Sequence, residues 1–588
     1  MMKLSATMIL AVAALAAPEP SIDEFFERFT REWVRADPEQ ASQMQMFAGE
    51  EQDRLDRELT PVTRAFDAAR RDQARRGLAE LKRFDRSSLT ASQRVSASVL
   101  QWQLETMLKG EPFAEHRYTF EQMFGLQTRL PEGLSTMPIR NQKDAGNYLA
   151  RLAQVALRID EGIGRARERE QKGVAPPKAI LEVTIAQMKR LVEPEPAKTV
   201  WVTTFTERLS KVPGLSAASR EDLLATAAGT VGNSIHPAYR RAMALLESQL
   251  PNASETVGFS RLSNGAAAYD HRLLVNTTTK LTADQIHRIG LEEVARIEKE
   301  IDRLLDHLGE PVGPGEERLK QARARQPGVL GDEPGAREKV IARYGDVIRD
   351  AERRSALLFD LRPKAPVEMR RVPLFREANA PAYYTIPAPD GSRPGIFWVP
   401  LLGPTFTVSR SLTYHEAVPG HHFQLALQQE SNELPKFRRF GAFGGGSAFV
   451  EGWGLYAERL AREQGWYKDD PWGELNSLTS SDLFRARRLV VDTGLHAKGW
   501  TIEQGVAYGI RRAEVERYVT VPGQACSYKI GELKIVEFRE KAKRELGAAF
   551  DLKEFHNTVL RGGAMPLDVL AVVVDDFIAS RKRPAKGD

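Results

Sequence analysis

The chain has 588 residues, of which 42% are hydrophobic and 28% are charged. That length allows two or more lobes, and the composition excludes the disordered and membrane protein classes. The 84 basic and 79 acidic residues leave a net charge of +5 without a long block of one sign, so nucleic acid is a poor candidate partner. The single cysteine, Cys526, excludes an intrachain disulfide, and we expect it to be a small buried hydrophobe.

The first residues differ from the rest of the chain. Lys3 is followed by an apolar run over residues 4–14 and by small residues up to Ala16, and the sequence becomes charged soon afterwards. This pattern is typical of a signal peptide, and we predict one over residues 1–16, against the alternative of a buried N-terminal helix. The mature protein is then periplasmic or secreted. No cysteine follows the run to carry a lipid, and no later stretch reaches the ~20 apolar residues of a membrane span.

Helix signals dominate the sequence after this leader. Three Ser or Thr residues stand three positions before a Glu or Gln, which is the spacing of a capping box at a helix N-terminus. These pairs are Ser21 with Glu24, Thr90 with Gln93, and Thr282 with Gln285. After the last pair, apolar residues keep helical spacing from Val294 to Leu308, which predicts a long amphipathic helix.

Gly and Pro recur every few residues from Gly309 to Gly335, so this segment is the best linker candidate. We divide the mature chain into an N-terminal helical lobe, residues 17–280, and a C-terminal catalytic lobe, residues 281–588. The one convincing strand is residues 395–401, which are rich in β-branched and aromatic side chains and follow a turn. The expected fold is therefore mostly α-helical, with one small β-sheet just before the residues that carry the chemistry.

Three of the ten histidines fall within eight residues, inside the segment 414–424. Zinc hydrolases commonly place two His four residues apart on one helix, with a Glu beside the first as general base. Here Glu416 follows His415, but the next histidines, His421 and His422, come six and seven residues after His415. A straight helix rises about 10.5 Å over seven residues, which is too far for two imidazoles that each lie about 2 Å from one zinc.

Pro419 and Gly420 offer a way to shorten that distance. Proline cannot donate a backbone hydrogen bond to His415, and glycine permits backbone angles that other residues avoid. We therefore predict a bulge in one helix that brings a later histidine back to the metal. His421 is the favoured ligand, because inserting two residues between histidines four positions apart places them six positions apart, as His415 and His421 are. His422 is the alternate ligand. The competing interpretation is a helix with capping histidines and no metal.

The segment from His415 to His422 resembles the His-Glu-x-x-Pro-Gly-His-His motif of bacterial proteins grouped as domain of unknown function 885, which are placed in the zincin peptidase clan. The resemblance covers most of the chain and is strongest from about Leu281 onward. Its other matching segments are residues 390–395, 451–458, 488–496 and 522–529. The resemblance implies a zinc metallopeptidase-like catalytic domain, and it implies no particular substrate.

A site with two His ligands needs a third protein ligand and an open position for water. Glu451 is the natural candidate, because residues 451–462 have a helical pattern and zincins with a Glu ligand take it from a second helix packed on the first. Glu458, two turns further along the same face, is the rival ligand, or else an acid that orients a ligand. We expect one Zn²⁺ per chain, held by His415, His421 and Glu451, although other first-row metals can fit such ligands.

Glu416 is the predicted general base, which takes a proton from zinc-bound water during attack on a carbonyl and passes it to the leaving amine. The oxyanion needs a donor, for which Tyr528 and His496 are the candidates, with Arg488 behind them. Arg488, Asp492 and His496 recur every four residues, so on a helix they share one face, and Asp492 could orient either neighbour. The competing interpretation of that face is an exposed salt-bridge ladder.

Substrate contacts are expected on both sides of the metal motif. Residues 395–401 precede the metal helix, where zincins often keep an edge strand that pairs with an extended peptide, and Tyr383 and Tyr384 could line the same cleft. Alternatively, these residues belong to the core. By analogy with mostly helical carboxypeptidase-like zincins, Tyr528 and Lys529 could meet a substrate carboxylate.

We expect a two-lobed, helical, zincin-like metallopeptidase with a small β-sheet beside the metal helix and a deep cleft that favours short peptides. The expected reaction is zinc-dependent hydrolysis of an amide bond. A zinc esterase or amidase acting on a non-peptide uses the same groups and is the first alternative. A non-catalytic zinc-binding or peptide-binding protein is the second, against which Glu416 argues, since a structural site needs no base beside its ligand.

Overall fold

The computed structural model describes residues 20–582, without 314, 327, 331, 332, 373–376, 378–380, 389, 390 and 392. The predicted signal peptide, residues 1–16, lies outside the described residues. The three predicted capping boxes are confirmed, because in each one the Ser or Thr hydroxyl and the Glu or Gln side chain accept backbone N–H groups reciprocally. Local sequence therefore determines where these three helices begin.

Helices form most of the described structure, in agreement with the predicted mostly α-helical class. The helices that precede the sheet are α1 (Ile22–Arg35), α2 (Pro38–Met44), α3 (Gly49–Asp56), α4 (Arg64–Leu81), α5 (Ala91–Lys109), α6 (Leu126–Thr136), α7 (Gln142–Leu152), α8 (Val155–Glu170), α9 (Lys178–Val192), α10 (Val200–Leu209), α11 (Ala217–Thr230), α12 (His236–Gln249), α13 (Gly265–Thr277), α14 (Ala283–His307), α15 (Gly315–Ala324) and α16 (Ala336–Ser355). The predicted long helix is α14, whose Val294, Ile297 and Ile301 are buried.

The helices that follow the sheet carry the candidate site. They are α17 (Arg410–Glu416), α18 (His421–Glu430), α19 (Lys436–Arg439), α20 (Ser447–Glu463), α21 (Pro471–Asn476), α22 (Phe484–Ala497), α23 (Ile502–Ala507), α24 (Arg512–Thr520), α25 (Gln524–Leu546), α26 (Leu552–Arg561) and α27 (Leu567–Lys582). A π-helical segment, residues 477–483, joins α21 to α22. Helix α20 packs along both α17 and α25, so these three helices support the site together.

Five short strands complete the described structure. They are β1 (Val329–Leu330), β2 (Val367–Arg371), β3 (Tyr383–Thr385), β4 (Gly395–Val399) and β5 (Thr405–Phe406). β4 is the centre of a three-stranded sheet, parallel to β2 and antiparallel to β3, with Tyr384 opposite Phe397. The predicted strand is therefore confirmed, but its predicted position at a sheet edge is wrong, because β2 and β3 occupy both of its hydrogen-bonding sides.

The two largest hydrophobic cores do not divide the chain in the same way as the predicted lobes. The largest draws buried residues from 22–104 and from 336–578, so the beginning and the end of the described chain share one core. Another core lies within residues 59–246. The boundary between residues 280 and 281 stays a prediction, and the expected linker, residues 309–335, contains helix α15.

The structure bears on two expectations from composition, which concern membrane-spanning helices and the single cysteine. No helix in the described part of the chain is long and apolar enough to cross a membrane. Cys526 is buried and unpaired, as predicted, and it packs among apolar side chains of α13, α14 and α22.

Candidate metal centre and substrate cavity

The segment between Glu416 and His421 interrupts the helix that carries the histidine motif. The predicted bulge in one helix is wrong, because α17 ends at Glu416 and a separate helix, α18, begins at His421. The connection contains a cis peptide bond between Val418 and Pro419. Gly420 is required there, since a Cβ at this position would lie 1.9 Å from the backbone oxygen of His415. The break places the rings of His415 and His421 with their centroids 4.7 Å apart.

His415, His421 and Glu451 converge on one point. The Oε2 atom of Glu451 lies 3.5 Å from Nε2 of His415 and 3.4 Å from Nε2 of His421. Two ligands that are each about 2.1 Å from a tetrahedral zinc lie about 3.4 Å from one another. The separations from Glu451 to the two histidines therefore have the size that a shared zinc requires, and the donor set of two imidazoles and a carboxylate fits that metal.

Hydrogen bonds behind the two histidines orient their rings. Nδ1 of His415 lies 2.8 Å from Oε1 of Glu458, and Ser411 donates its hydroxyl to the other oxygen of that carboxylate. Nδ1 of His421 lies 3.4 Å from the side-chain oxygen of Gln424. In each ring the Nδ1–H group is engaged, so Nε2 is left for a metal. Glu458 therefore orients a histidine and is not grouped with the candidate ligands.

Helix α20 can approach His415 because it carries a glycine there. A Cβ on Gly454 would lie 2.6 Å from Cε1 of the imidazole, so any larger residue would displace the ring. The residue directly before it, Trp453, donates its indole N–H to the backbone oxygen of Pro419 at 2.8 Å. These two residues dock the interrupted helix onto the helix that supplies Glu451.

His422, the alternate ligand, points to a different neighbour. Its Nδ1 lies 2.9 Å from the hydroxyl of Tyr384 on β3. Burial lowers the pKa of His422 to about 4, so the ring is neutral. The structure thus groups His421, rather than His422, with His415 and Glu451.

The pKa values of two acids in the cluster are shifted in opposite directions. Burial raises the pKa of Glu451, but hydrogen bonds with His415 and His421 hold it well below its ordinary value. Burial raises the pKa of Glu416, and the nearby charge of Glu451 adds to that effect. Burial lowers the pKa of His415, but Glu451 and Glu458 raise it to about 9, so without a cation His415 carries a proton. A divalent cation would take the place of that positive charge.

These groups face a cavity of about 750 Å³. Among the predicted site residues, the cavity lining includes His415, Glu416, His421, Glu451, Arg488 and Tyr528. Tyr383 and Tyr384 also line it, as predicted, and they belong to β3 at the edge of the described sheet. The cavity therefore brings together the candidate metal ligands, the candidate base and two of the three candidate oxyanion donors.

His496 does not reach the cavity, which corrects its prediction as an oxyanion donor. Its Nδ1 accepts the backbone N–H of Phe259 at 3.2 Å, and its Nε2 lies 2.9 Å from the backbone oxygen of Tyr518. Burial lowers its pKa to about 4. With both ring nitrogens engaged by the backbone, His496 stabilises the packing of α22 instead.

Asp492 and Lys529 also occupy places that the sequence did not indicate. Asp492 accepts hydrogen bonds from the Tyr269 hydroxyl at 2.5 Å and the Gly523 N–H at 2.9 Å, so it orients neither neighbour on its own helix. The face with Arg488 and Asp492 is buried, which also excludes the exposed salt-bridge ladder. Lys529 is fully buried among carboxylates and cannot meet a substrate.

Several residues of the site were not predicted. Ser411 stands one helical turn before His415, which is a local signal for a supporting contact. Arg485, Arg511 and Arg517 line the cavity together with Arg488. Arg485 lies one turn before Arg488 on α22. Arg517 belongs to α24 and Arg511 directly precedes that helix, and no spacing in the sequence connects these two to the metal motif.

Comparisons with known proteins agree with the resemblance noted in the sequence. A family model described as "Bacterial protein of unknown function (DUF885)" matches residues 38–574. A crystal structure from Colwellia psychrerythraea, described as a "putative lipoprotein", shares 30% identity with a TM-score of 0.88, over 95% of this chain and 100% of that one. A structure from Shewanella oneidensis with a similar description shares 22% identity and a TM-score of 0.70, over 94% of this chain and 99% of that one, and shows the fold alone. No curated protein matches the chain. The chain belongs to the bacterial DUF885 family.

Proposed function

We propose that this protein is a zinc-dependent hydrolase that cleaves amide bonds of short peptides. The observation that carries the proposal is the arrangement of Glu416 beside His415, His421 and Glu451 on the wall of one cavity. A purely structural zinc site is closed by four protein ligands and needs no adjacent carboxylate. Three candidate ligands with a buried, unligated glutamate beside them match a hydrolytic site better.

The ligand set also supports a divalent cation on electrostatic grounds. Glu416, Glu451 and Glu458 are three carboxylates in one small volume, and oxygens of Glu451 and Glu458 lie 3.5 and 2.8 Å from the two ring nitrogens of His415. When bound, zinc polarises a carbonyl oxygen and lowers the pKa of water to about 7. His415, His421 and Glu451 are the residues that would hold it, with Glu458 fixing the orientation of His415.

The residues of this chain then have distinct roles in hydrolysis. The carboxylate of Glu416 takes a proton from the attacking water and passes it to the nitrogen of the leaving amine. Glu416 must hold the proton between the two steps, and its place beside His415 on the cavity wall puts it in reach of both groups. The Tyr528 hydroxyl, with the Arg488 guanidinium beside its ring, is the donor for the oxyanion.

The size of the cavity supports short substrates. A volume of about 750 Å³ falls within the ~300–1,000 Å³ range of small-ligand sites and is too small to admit a folded protein. Strand β3 is at the edge of the described sheet and carries the lining residues Tyr383 and Tyr384, so it could pair with an extended peptide. We include in this proposal a zincin-like architecture whose two lobes close over the cleft.

We also propose a location outside the cytoplasm, in the periplasm or medium. The signal-peptide pattern in residues 1–16 supports it. The solved structure from Colwellia psychrerythraea is described as a "putative lipoprotein", and this description agrees with export.

The test combines metal analysis with a mixed peptide library. We expect about one zinc per chain and peptide cleavage that a chelator stops and zinc restores. Glu416→Gln should keep the zinc and lose activity by about 10²–10⁴-fold. Bound zinc with cleavage of esters or non-peptide amides alone would transfer the proposal to those substrates, and bound zinc without any turnover would favour a binding protein. A protein that binds no metal would overturn the proposal.

A further inference from the structure

One end of the cavity is strongly basic. Four arginines line it, and we call Arg485, Arg488, Arg511 and Arg517 the arginine end. Apart from the acids of the metal site, Glu514 is the only acidic residue among the described residues of the lining. Four guanidinium groups and one carboxylate leave an excess of three positive charges, because arginine stays protonated in proteins.

The protein leaves part of this charge unmatched. Glu514 accepts from Nη2 of Arg488 at 2.9 Å, and the Tyr518 hydroxyl lies 3.1 Å from Nε of Arg488. In the described part of the chain, the buried N–H groups at Nη1 of Arg488, Nη2 of Arg517 and Nε of Arg485 have no hydrogen-bond acceptor. Buried polar groups in native proteins are nearly all hydrogen-bonded, so unmatched donors in one cluster indicate a missing acceptor.

Arg511 completes the pattern from the solvent side. It is exposed, it stands just before the first turn of α24, and the described residues offer it no ion pair. Its chain neighbour Arg512 is also exposed but pairs with Glu503 at 2.7 Å and lies outside the lining. Of these two adjacent arginines, the one outside the cavity is neutralised by an acid and, among the described residues, the one that lines the cavity is not. The unpaired positive charge is therefore concentrated at the cavity.

The arginine end adjoins the metal site. The guanidinium carbon of Arg488 lies 4.6 Å from the ring centre of Tyr528, and that of Arg485 lies 5.8 Å from it. Tyr528 shares the lining with Glu416 and His415. A short substrate whose reacting carbonyl lies beside Tyr528 would therefore have its next polar group at the arginines.

We propose that the arginine end binds a carboxylate of the substrate, so that the protein acts on peptides with a free carboxylate close to the cleaved bond. This inference rests on the proposed function and names its substrate class. Guanidinium groups pair with carboxylates through two parallel hydrogen bonds, and a short peptide carries such a group at its C-terminus. The same chemistry is available from an Asp or Glu side chain, which would make the cleavage internal rather than terminal.

The experiment measures peptide binding by calorimetry to the zinc-loaded full chain carrying Glu416→Gln. The probes are trialanine, trialanine amide, and the amide of Ala-Glu-Ala. We expect trialanine to bind at least about ten-fold more tightly than its amide, since hydrogen bonds to a charged group are about twice as strong as those between neutral groups. Tight binding of the Ala-Glu-Ala amide as well would assign the carboxylate to a side chain, whereas its weak binding would assign it to the C-terminus.

Matched variants connect that preference to the cavity. Arg511→Gln should weaken binding of trialanine several-fold and leave the amide unchanged, whereas Arg512→Gln should alter neither. Equal affinity for trialanine and its amide, or no binding of any probe, would overturn the inference. Cleavage of acid and amide at equal rates by the unmutated protein would retain the peptidase and reject the carboxylate site. A carboxylate preference in a protein that cleaves no peptide would retain the site and reject the peptidase.

Discussion

Two clusters of buried charge, one with acids on helix α20 and the other with Lys529 on helix α25, are built on different plans. The metal cluster consists of His415, His421, Glu416, Glu451 and Glu458, and the lysine cluster consists of Lys529, Asp482, Glu293 and Glu532. In the lysine cluster, Nζ of Lys529 lies 2.5–3.0 Å from an oxygen of each of the three acids. Burial raises the pKa of Asp482, but Lys529 and Arg462 hold it well below its ordinary value.

The two clusters differ in whether the protein itself supplies the neutralising cation. Lys529 occupies the centre of its cluster and is fully buried. Arg296, Arg459 and Arg462 each pair with one of the three acids as well, so that group is complete without a ligand. In the metal cluster the ligand atoms surround a point that faces a cavity, and three carboxylates are left with two histidines. Buried acids are therefore compatible with either a structural or a functional site. The difference between the two clusters is that ligand atoms in the metal cluster converge on a point open to the cavity.

The largest expected effect concerns the choice between the two adjacent histidines. His421→Ala should abolish zinc binding and hydrolysis, because it removes one of three ligands. His422→Ala should keep most of the zinc, since His422 contacts Tyr384 on the sheet. Metal analysis of both purified variants measures this difference. Zinc lost from His422→Ala but kept by His421→Ala would show that the metal site is built differently.

Removing the cation of the lysine cluster should affect stability and leave the metal site intact. Lys529→Met has nearly the same volume but leaves the buried carboxylates of Asp482, Glu532 and Glu293 short of a partner. We expect it to lower the free energy of unfolding by about 3–5 kcal/mol, measured by urea denaturation. Lys534→Met is the control on the same helix, because Lys534 is a partly exposed partner of Glu537 and should contribute less than about 1 kcal/mol. A large loss of zinc affinity in Lys529→Met would contradict the separation of the clusters.

Removing the charge behind His415 should have a smaller effect. Glu458→Gln can still accept a hydrogen bond from Nδ1 of His415, but it no longer supports the ring with a negative charge. We expect zinc affinity to fall by about 10–100-fold, as measured by competition with a chelator of known affinity. Ser411→Ala, which removes the donor to Glu458, should show a weaker effect in the same direction. Unchanged affinity in Glu458→Gln would mean that this carboxylate serves packing alone.

The parts of the molecule that sequence could predict are those whose partners are close along the chain. The capping boxes and the long helix α14 were predictable because their signals lie within a few turns. The group of His415, Glu416 and His421 was predictable for the same reason. The form of the helix break was not, because it depends on Gly420 meeting the backbone of α17 and on Trp453, which lies thirty-four residues after Pro419.

The errors on α22 and the missed arginines have a related cause. Four-residue spacing shows that Arg488, Asp492 and His496 share a face of α22, but it does not show what packs against that face. In the structure, Phe259, Tyr269 and Gly523 occupy the part around Asp492 and His496. Arg511 and Arg517 reach the cavity only through tertiary packing, and in the sequence they have the pattern of ordinary surface arginines.

Asp492 shows a third way of housing a buried carboxylate and carries the smallest predicted effect. In the described part of the chain no cation forms an ion pair with it, and burial raises its pKa to about 7, although Tyr269 and the Gly523 N–H lower it. The folded protein therefore holds a proton between about pH 4 and pH 7 that the unfolded chain, with a pKa of about 3.9, has released. Because the folded state binds more protons in this window, the site makes stability fall as pH rises.

Asp492→Asn tests this linkage, since the amide stays neutral at every pH. The difference in unfolding free energy between the variant and the unmutated protein should shift in favour of the variant by about 1 kcal/mol between pH 5 and pH 6. Urea denaturation of both proteins at the two pH values measures it, with Asp222→Asn, at an exposed position, as the control for the substitution itself. A difference that does not change with pH would mean that Asp492 is ionised in the folded protein. In that case Arg517, whose charge lowers the pKa of Asp492, would have to neutralise it, and the distinction between Asp492 and the acids of the lysine cluster would disappear.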